Sequence, residues 1–295
     1  MIAGCGSYYA QSSVIKTVLE LPPGKNTAVV VLGCQAMGLQ LIREKFPRVQ
    51  LPTYTIGLVC AGQYSGAIID DLVSQTTCNA KKIEEFRFRD KRVGWPGDIH
   101  ISADQTDYWL QREKRYALKP VYELHRCIAC FDQMNIFSDI VCGDPWGISD
   151  KQQPEGHTVV IARTEKGEKL LRDAVRDGAI ILESLLPEKI LRGQTVDGRH
   201  KTKFYTSRDI FQEKNWVFPF PKDWVKDTSY TPANEKESRD IRERLEYTRD
   251  IYQTTHQPEY LAKIQMKKKK LGNRIQKMKR HLSIIIRKLS LSLKF

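Results

Sequence analysis

Residues Thr27–Gly33 read TAVVVLG, and Thr53–Cys60 read TYTIGLVC. Each is a short run of β-branched and apolar residues bounded by turn formers, the pattern of a strand buried on both faces. Between them, Gln35–Phe46 spaces Met37, Leu39, Leu41, Ile42 and Phe46 as a helix does, and Pro47 closes it. Gly66–Val73 opens a second helical pattern after the second run. Strand, helix, strand, helix predicts parallel β-α-β units. The chain is therefore read as α/β, with a mixed or mostly parallel sheet and flanking helices.

Working outward, Lys82–Asp90 (KIEEFRFRD) alternates Ile83, Phe86 and Phe88 with charges, as a half-exposed strand does, and Ile99–Ala103 is similar. Ser138–Gly143 and His157–Thr164 read as strands, Glu165–Arg176 as an amphipathic helix, and Ala179–Glu183 (AIILE) as a further strand. Beyond about Pro187 the sequence is polar and irregular, and Asn215–Tyr230 scatters Trp216, Phe218, Phe220 and Trp224 among prolines. Ser238–Tyr252 returns to helical period. This divides the chain into a body over residues 1–215, a polar and aromatic connecting region over 216–260, and a tail over 261–295.

The net charge of +13 over 295 residues suggests nucleic acid until it is located. Residues 261–295 hold twelve Lys or Arg and no acid, which leaves 36 bases against 35 acids in the rest. A nearly neutral body argues against nucleic-acid binding. In the tail, Leu271, Ile275, Met278, Leu282, Ile285 and Leu289 recur at 4-3-4-3-4, one apolar seam on a basic amphipathic helix. Such a helix suits an anionic membrane surface, which uses both of its faces. No apolar run approaches the ~18–20 residues of a spanning helix. With no secretory signal at the start, the expected compartment is the cytoplasm, peripheral to the inner face of the membrane.

Seven cysteines, Cys5, Cys34, Cys60, Cys78, Cys127, Cys130 and Cys142, are an odd number, and cytosolic thiols stay reduced. The C-x-x-C of Cys127 and Cys130 can ligate a metal, hold two corners of an iron–sulfur cluster, or form a redox disulfide. A thioredoxin-like pair would open a helix just after a strand, whereas Tyr108–Leu124 is charged. A zinc site needs two more ligands, and no second C-x-x-C or H-x₃₋₅-H lies nearby. Cys34 and Cys60 sit at the C-terminal ends of predicted parallel strands, where α/β sheets place their sites. They are either further ligands of a four-cysteine cluster or small core residues.

Gly33-Cys34-Gln35-Ala36-Met37-Gly38-Leu39 is similar to G-T-P-C-Q-x-A-G-L, and Leu58-Val59-Cys60-Ala61-Gly62 to V-C-H-G. By these motifs and those that follow, the chain resembles the family of beta subunits of coenzyme F420 hydrogenases and dehydrogenases. Phe86–Lys91 with Gly94-Trp95 resembles F-R-D-K-x-x-G-W, and Cys127–Cys130 its C-x-x-C. Ser138-Asp139-Ile140 with Gly143–Ile148 resembles S-D-I-x-x-G-D-x-W-G-I. The segments keep the family's order across roughly residues 7–175. The resemblance implies an oxidoreductase or electron-transfer subunit with a 4Fe-4S cluster and FAD. Such a protein passes electrons between a ferredoxin-like donor or partner subunit and a small acceptor, coenzyme F420 in some members. Other relatives sit among polysaccharide biosynthesis proteins, so an accessory or docking role at the membrane is the alternative.

Carried over by position, the cluster ligands are Cys34, Cys60, Cys127 and Cys130. Gln35, Arg89, Lys91 and Asp144 are the implied cofactor contacts, since a planar Arg suits a flavin phosphate or a carboxylate. Arg87 and Arg92 share the same charged strand face. Asp144 and Gly147 belong to a turn, and Cys5, Cys78 and Cys142 are read as core thiols, His125 as a surface residue. Two departures stand out: Val31-Leu32-Gly33 replaces G-T-P, and Ala61 replaces the histidine beside Cys60, a group that would orient a ligand or handle a proton. Gly6–Ser12 resembles the family's G-S-K-Y-V-Q-S, so the chain starts at what looks like the middle of the family's pattern. A shortened member, or a fragment of a longer reading frame, is the expectation. No G-x-S-x-G, P-loop or H-E-x-x-H occurs, so hydrolase and triphosphatase readings have no support.

Overall fold

The structure is a computed structural model that describes residues 14–21, 26–78, 83–148, 157–213, 215 and 232–253. Two compact units divide the chain, Met1–Thr248 and Arg249–Phe295. The contacts below belong to the first. The basic tail, the aromatics Trp216, Phe218, Phe220 and Trp224, and Cys5 lie outside the described residues.

The protein is α/β. β1 (Ala28–Leu32) pairs in parallel with β2 (Tyr54–Leu58), Ala28 facing Tyr54 and Leu32 facing Leu58. Further along the same sheet, β2 pairs in parallel with β6 (Ile140–Gly143), and β7 (Val159–Ala162) closes the order β1-β2-β6-β7 antiparallel to β6. Helices α1 (Val14–Leu19) and α2 (Gly33–Lys45) cover β1 with a core of Val18, Val31, Ala36 and Leu39. This is the β-α-β unit that the two apolar runs predict. A second sheet is an antiparallel meander of β3 (Glu85–Asp90), β4 (Asp98–Ala103) and β5 (Thr106–Leu110). Its inward Phe88, Ile99 and Ile101 are fully buried.

Helix α3 (Ala67–Ser74) follows β2, and α4 (Arg112–Tyr122) leads into the four-residue α5 (His125–Ile128), which carries the first cysteine of the C-x-x-C. The C-x-x-C thus follows a helix and not a strand, which removes the context a thioredoxin-like pair needs. α6 (Glu165–Arg176) begins at Thr164, whose Oγ1 accepts from the Gly167 amide, an N-cap.

Two expectations are corrected. Ala179–Glu183 is not a strand: residues 179–186 pair with no strand among the described residues, and Ile181 is 94% exposed. A β-branched run reports only a willingness to pair, and these residues add to neither edge of the four-stranded sheet, β1 or β7. The stretch past Pro187 is not irregular but holds α7 (Pro187–Gly193) and α8 (Val196–Glu213). The connecting region likewise contains a helix, α9 (Pro232–Gln253), as the period over Ser238–Tyr252 predicts. Ile210 of α8 and Ile241 of α9 pack on Ile128 of α5, a small core against the C-x-x-C loop.

Candidate metal centre

Three stretches of chain bring cysteines to one place. α2 starts as soon as β1 ends, which puts Cys34 in its first turn, and Gln35 Oε1 accepts the Leu32 amide at 2.9 Å to hold that corner. Cys60 lies two residues past β2, with its amide donating to Gln133 O at 3.0 Å. Cys127 ends the first turn of α5, its amide donating to Leu124 O at 2.8 Å, and Cys130 donates its own amide back to Cys127 O at 3.2 Å. All four are free and half-buried, and all four line a single narrow cavity of about 40 Å³.

The wall between the cysteines is built with little room to spare. Gly33 faces Asp132, and a Cβ at Gly33 would sit 2.6 Å from Asp132 Oδ2. Asp132 accepts the Ile136 amide at 3.1 Å, while burial pushes its carboxyl above the usual range. The Gln63 amide donates to Cys127 Sγ at 3.4 Å. Burial, foremost, pushes the thiols of Cys60 and Cys127 up to about 11 and that of Cys130 up to about 12, with the neighbouring sulfurs adding to it. As bare side chains these sulfurs keep their protons.

Among the described residues, no three His, Cys, Asp or Glu side chains converge on a position for one metal ion. The four sulfurs surround a space instead of meeting at a point. Sequence reasoning missed the other lining residues: Gln63, Arg126, Phe131, Asp132, Gln133 and Lys203. Asp132 could have been found from its place two residues past Cys130, whereas nothing around Lys203 marks it. Ala61 lines the cavity at the position where the resemblance implies a histidine, so this position offers no imidazole.

The expected cofactor contacts lie elsewhere. Arg89 and Asp144 find each other, Nη1 to Oδ2 at 2.7 Å, and Arg89 Nε also donates to Pro96 O at 3.0 Å. Gln194, from the α7–α8 junction, donates to Asp144 O at 2.7 Å. Trp95 and Trp146 pack their rings 4.3 Å apart beside this pair. These contacts join the second sheet to the Gly143–Ile148 turn. Gln35 is engaged by the Leu32 amide, and Lys91 is exposed at the start of the 3₁₀ turn Lys91–Val93. None of the four lines the cysteine cavity.

A second, wider cavity of about 510 Å³ shares Phe131, Asp132 and Gln133 with the first. Its other walls are mostly apolar, from β7 and from residues 185–196, with Arg163 the one cation among them.

Residues 24–188, more than half of the chain, match the family model for the C-terminal part of the coenzyme F420 hydrogenase/dehydrogenase beta subunit. The chain belongs to that family. Membership places this beta-subunit domain, at the coarse level, among oxidoreductases of hydrogenase and dehydrogenase type. The domain is also similar to a chain of the xenon-derivatised F420-reducing [NiFe] hydrogenase complex from Methanosarcina barkeri. The identity is 21%, the TM-score 0.46, and the match covers 70% of this chain and 69% of that one. No curated protein matches it.

Proposed function

We propose that this family member holds a 4Fe-4S cluster on Cys34, Cys60, Cys127 and Cys130 and serves as an electron-transfer domain of an oxidoreductase. One observation carries the reading: four free thiols from three separate stretches line one cavity. The donor set fits, because a cuboidal cluster takes four cysteines and gives each sulfur its own iron, so the sulfurs need not meet at a point. A bound cluster supplies storage and release of single electrons. The chain supplies the rest. The Gln63 amide, at 3.4 Å from Cys127 Sγ, stabilises negative charge on that sulfur, and Phe131, Leu32 and Gln133 help keep water from the cavity.

The residues expected for FAD do not fit it. Arg89 has its charge met by Asp144 and Gln35 is spent on a backbone amide, which leaves Lys91 alone to meet a diphosphate. The wider cavity beside the cysteines supports a small-molecule acceptor, of which coenzyme F420 is one that family membership suggests. A ferredoxin-like protein or partner subunit is the proposed donor, and the cytoplasmic face of a membrane the proposed location, reached through the basic tail. The closed Arg89–Asp144 pair and the loss of histidine at Ala61 favour a second reading, an accessory protein that keeps the cluster as a structural element.

Anaerobic purification, with iron and sulfide analysis, tests the proposal. The expected protein is brown and holds about four irons per chain, while Cys127→Ser loses most of them. Reversible reduction by dithionite supports electron transfer, and a cluster that cannot be reduced supports the structural role. Colourless protein with one zinc per chain overturns both.

A further inference from the structure

α8 lies beyond the matched residues 24–188, yet it contributes Lys203 to the wall of the cysteine cavity. Its Ser207 donates Oγ to the carbonyl of Ala129, which sits between Cys127 and Cys130. Phe204 packs edge-on against Phe131, ring centres 5.2 Å apart. Lys203 stands four residues before Ser207, and residues at that spacing share a helix face. The anchor that fixes α8 on the C-x-x-C loop therefore also sets Lys203 in the cavity wall, where it is half-buried. The other charges of that wall are Asp132 and the exposed Arg126. A half-buried lysine is less screened by salt than an exposed arginine, so its field reaches further into the cavity.

We propose that Lys203 sets a positive field in the cysteine cavity and thereby fixes the reduction potential of the iron–sulfur group held there. The inference rests on the cluster reading above. Four thiolates leave an iron–sulfur group with net negative charge, and one-electron reduction adds one more negative charge with no bond made or broken. A nearby cation stabilises the reduced form more than the oxidised one, which raises the potential. Lys203 holds no ligand position, so this effect is separable from assembly of the site.

Three variants, Lys203→Met, Lys203→Arg and Lys203→Glu, decide the matter on the full chain. In potentiometric titration with dithionite, followed by electron paramagnetic resonance, the midpoint shifts down for Lys203→Met and further down for Lys203→Glu. Lys203→Arg stays near wild type. If Lys203→Met fails to load iron, Lys203→Arg must restore loading. Equal midpoints across the series, or failure of Lys203→Arg to rescue, overturn the proposal. A second readout needs no cluster: the ratio of alkylation rates by anionic iodoacetate and neutral iodoacetamide at the four cysteines of iron-free protein. The thiolate fraction is common to both reagents and cancels, so the ratio reports the local field. It falls in Lys203→Met and is kept in Lys203→Arg if the inference holds, and an unchanged ratio sinks it. Wild-type protein that takes no iron would overturn the cluster reading while leaving this ratio to judge Lys203.

Discussion

Gly57 lacks a side chain because Asn135 stands where one would go. A Cβ built there lies 2.5 Å from the Asn135 amide nitrogen and 2.7 Å from Ser138 Oγ. Asn135 is fully buried in a left-handed backbone conformation (φ 52°), and its amide donates to Val31 O at 2.8 Å and Leu58 O at 3.4 Å. Ser138 Oγ donates to Asn135 Oδ1 at 2.6 Å, so both ends of the amide are satisfied. This one side chain bridges the C-terminal ends of β1 and β2, the two ends that deliver Cys34 and Cys60. Gly57→Ala would displace the Asn135 amide and leave buried carbonyls unmet, at about 2–4 kcal/mol in urea unfolding. Iron loading falls with it, because the strand ends separate. A variant that unfolds at the wild-type urea concentration would show that the bridge yields without loss.

At the scale of elements, Asp139 ties three together. Its Oδ2 accepts from the Thr55 amide and hydroxyl of β2, each at 2.9 Å, and its Oδ1 accepts from Thr164 at the start of α6. Lys166 Nζ is 3.0 Å away. Burial pushes this carboxyl up, but the donors from Thr55, Lys166 and Thr164 outweigh it and hold it below the usual range. The native value thus lies below that of the unfolded chain. The stability it contributes is present above about pH 4 and is lost as pH falls through the native value. Asp139→Asn removes about 1–3 kcal/mol at pH 7 and flattens the decline between neutrality and pH 3, as chemical denaturation at the two pH values would show. An equal acid-induced loss in both proteins would place the dependence elsewhere. Asp139 belongs to the S-D-I stretch that resembles the family, and its work is to hold the sheet together. What was legible in the sequence at this scale followed periodicity: β1, α2, β2, α3, β6, β7 and α6 all show it. The misses have physical causes. The β4–β5 turn uses Asp104 and Gln105, both at positive φ, where a glycine would have signalled a hairpin. In α8, Phe204 and Ile210 are the buried apolar anchors of a polar segment, too few for a visible period. The four cysteines were named from sequence, whereas the cations and the acid that surround them depend on where α8 and the Phe131–Gln133 turn fold.

For the whole molecule, charge is segregated along the chain: twelve Lys or Arg and no acid in residues 261–295, a net of +1 in the other 260. No apolar run in residues 261–295 approaches the ~18–20 residues of a spanning helix, so a role for the tail at a bilayer is one of surface attachment. Its seam of Leu271, Ile275, Met278, Leu282, Ile285 and Leu289 needs an apolar neighbour. Two copies in a parallel coiled coil would provide one but would also set like charges against each other, with no acid to offset them. Nucleic acid would meet the charge and leave the seam uncovered. An anionic bilayer meets both, with about 1 kcal/mol from each basic residue near the surface and further gain from each aliphatic at the headgroup boundary. We therefore expect the full chain to co-sediment with vesicles containing phosphatidylserine or phosphatidylglycerol at low salt. Binding should weaken as salt shortens the screening length, and persist in part through the apolar seam. Neutral phosphatidylcholine vesicles should bind it far less, and truncation after Tyr260 should release it from both. If the truncated chain binds as well as the full one, or the full chain ignores anionic vesicles, the tail is not a membrane segment and the coiled-coil and nucleic-acid readings return.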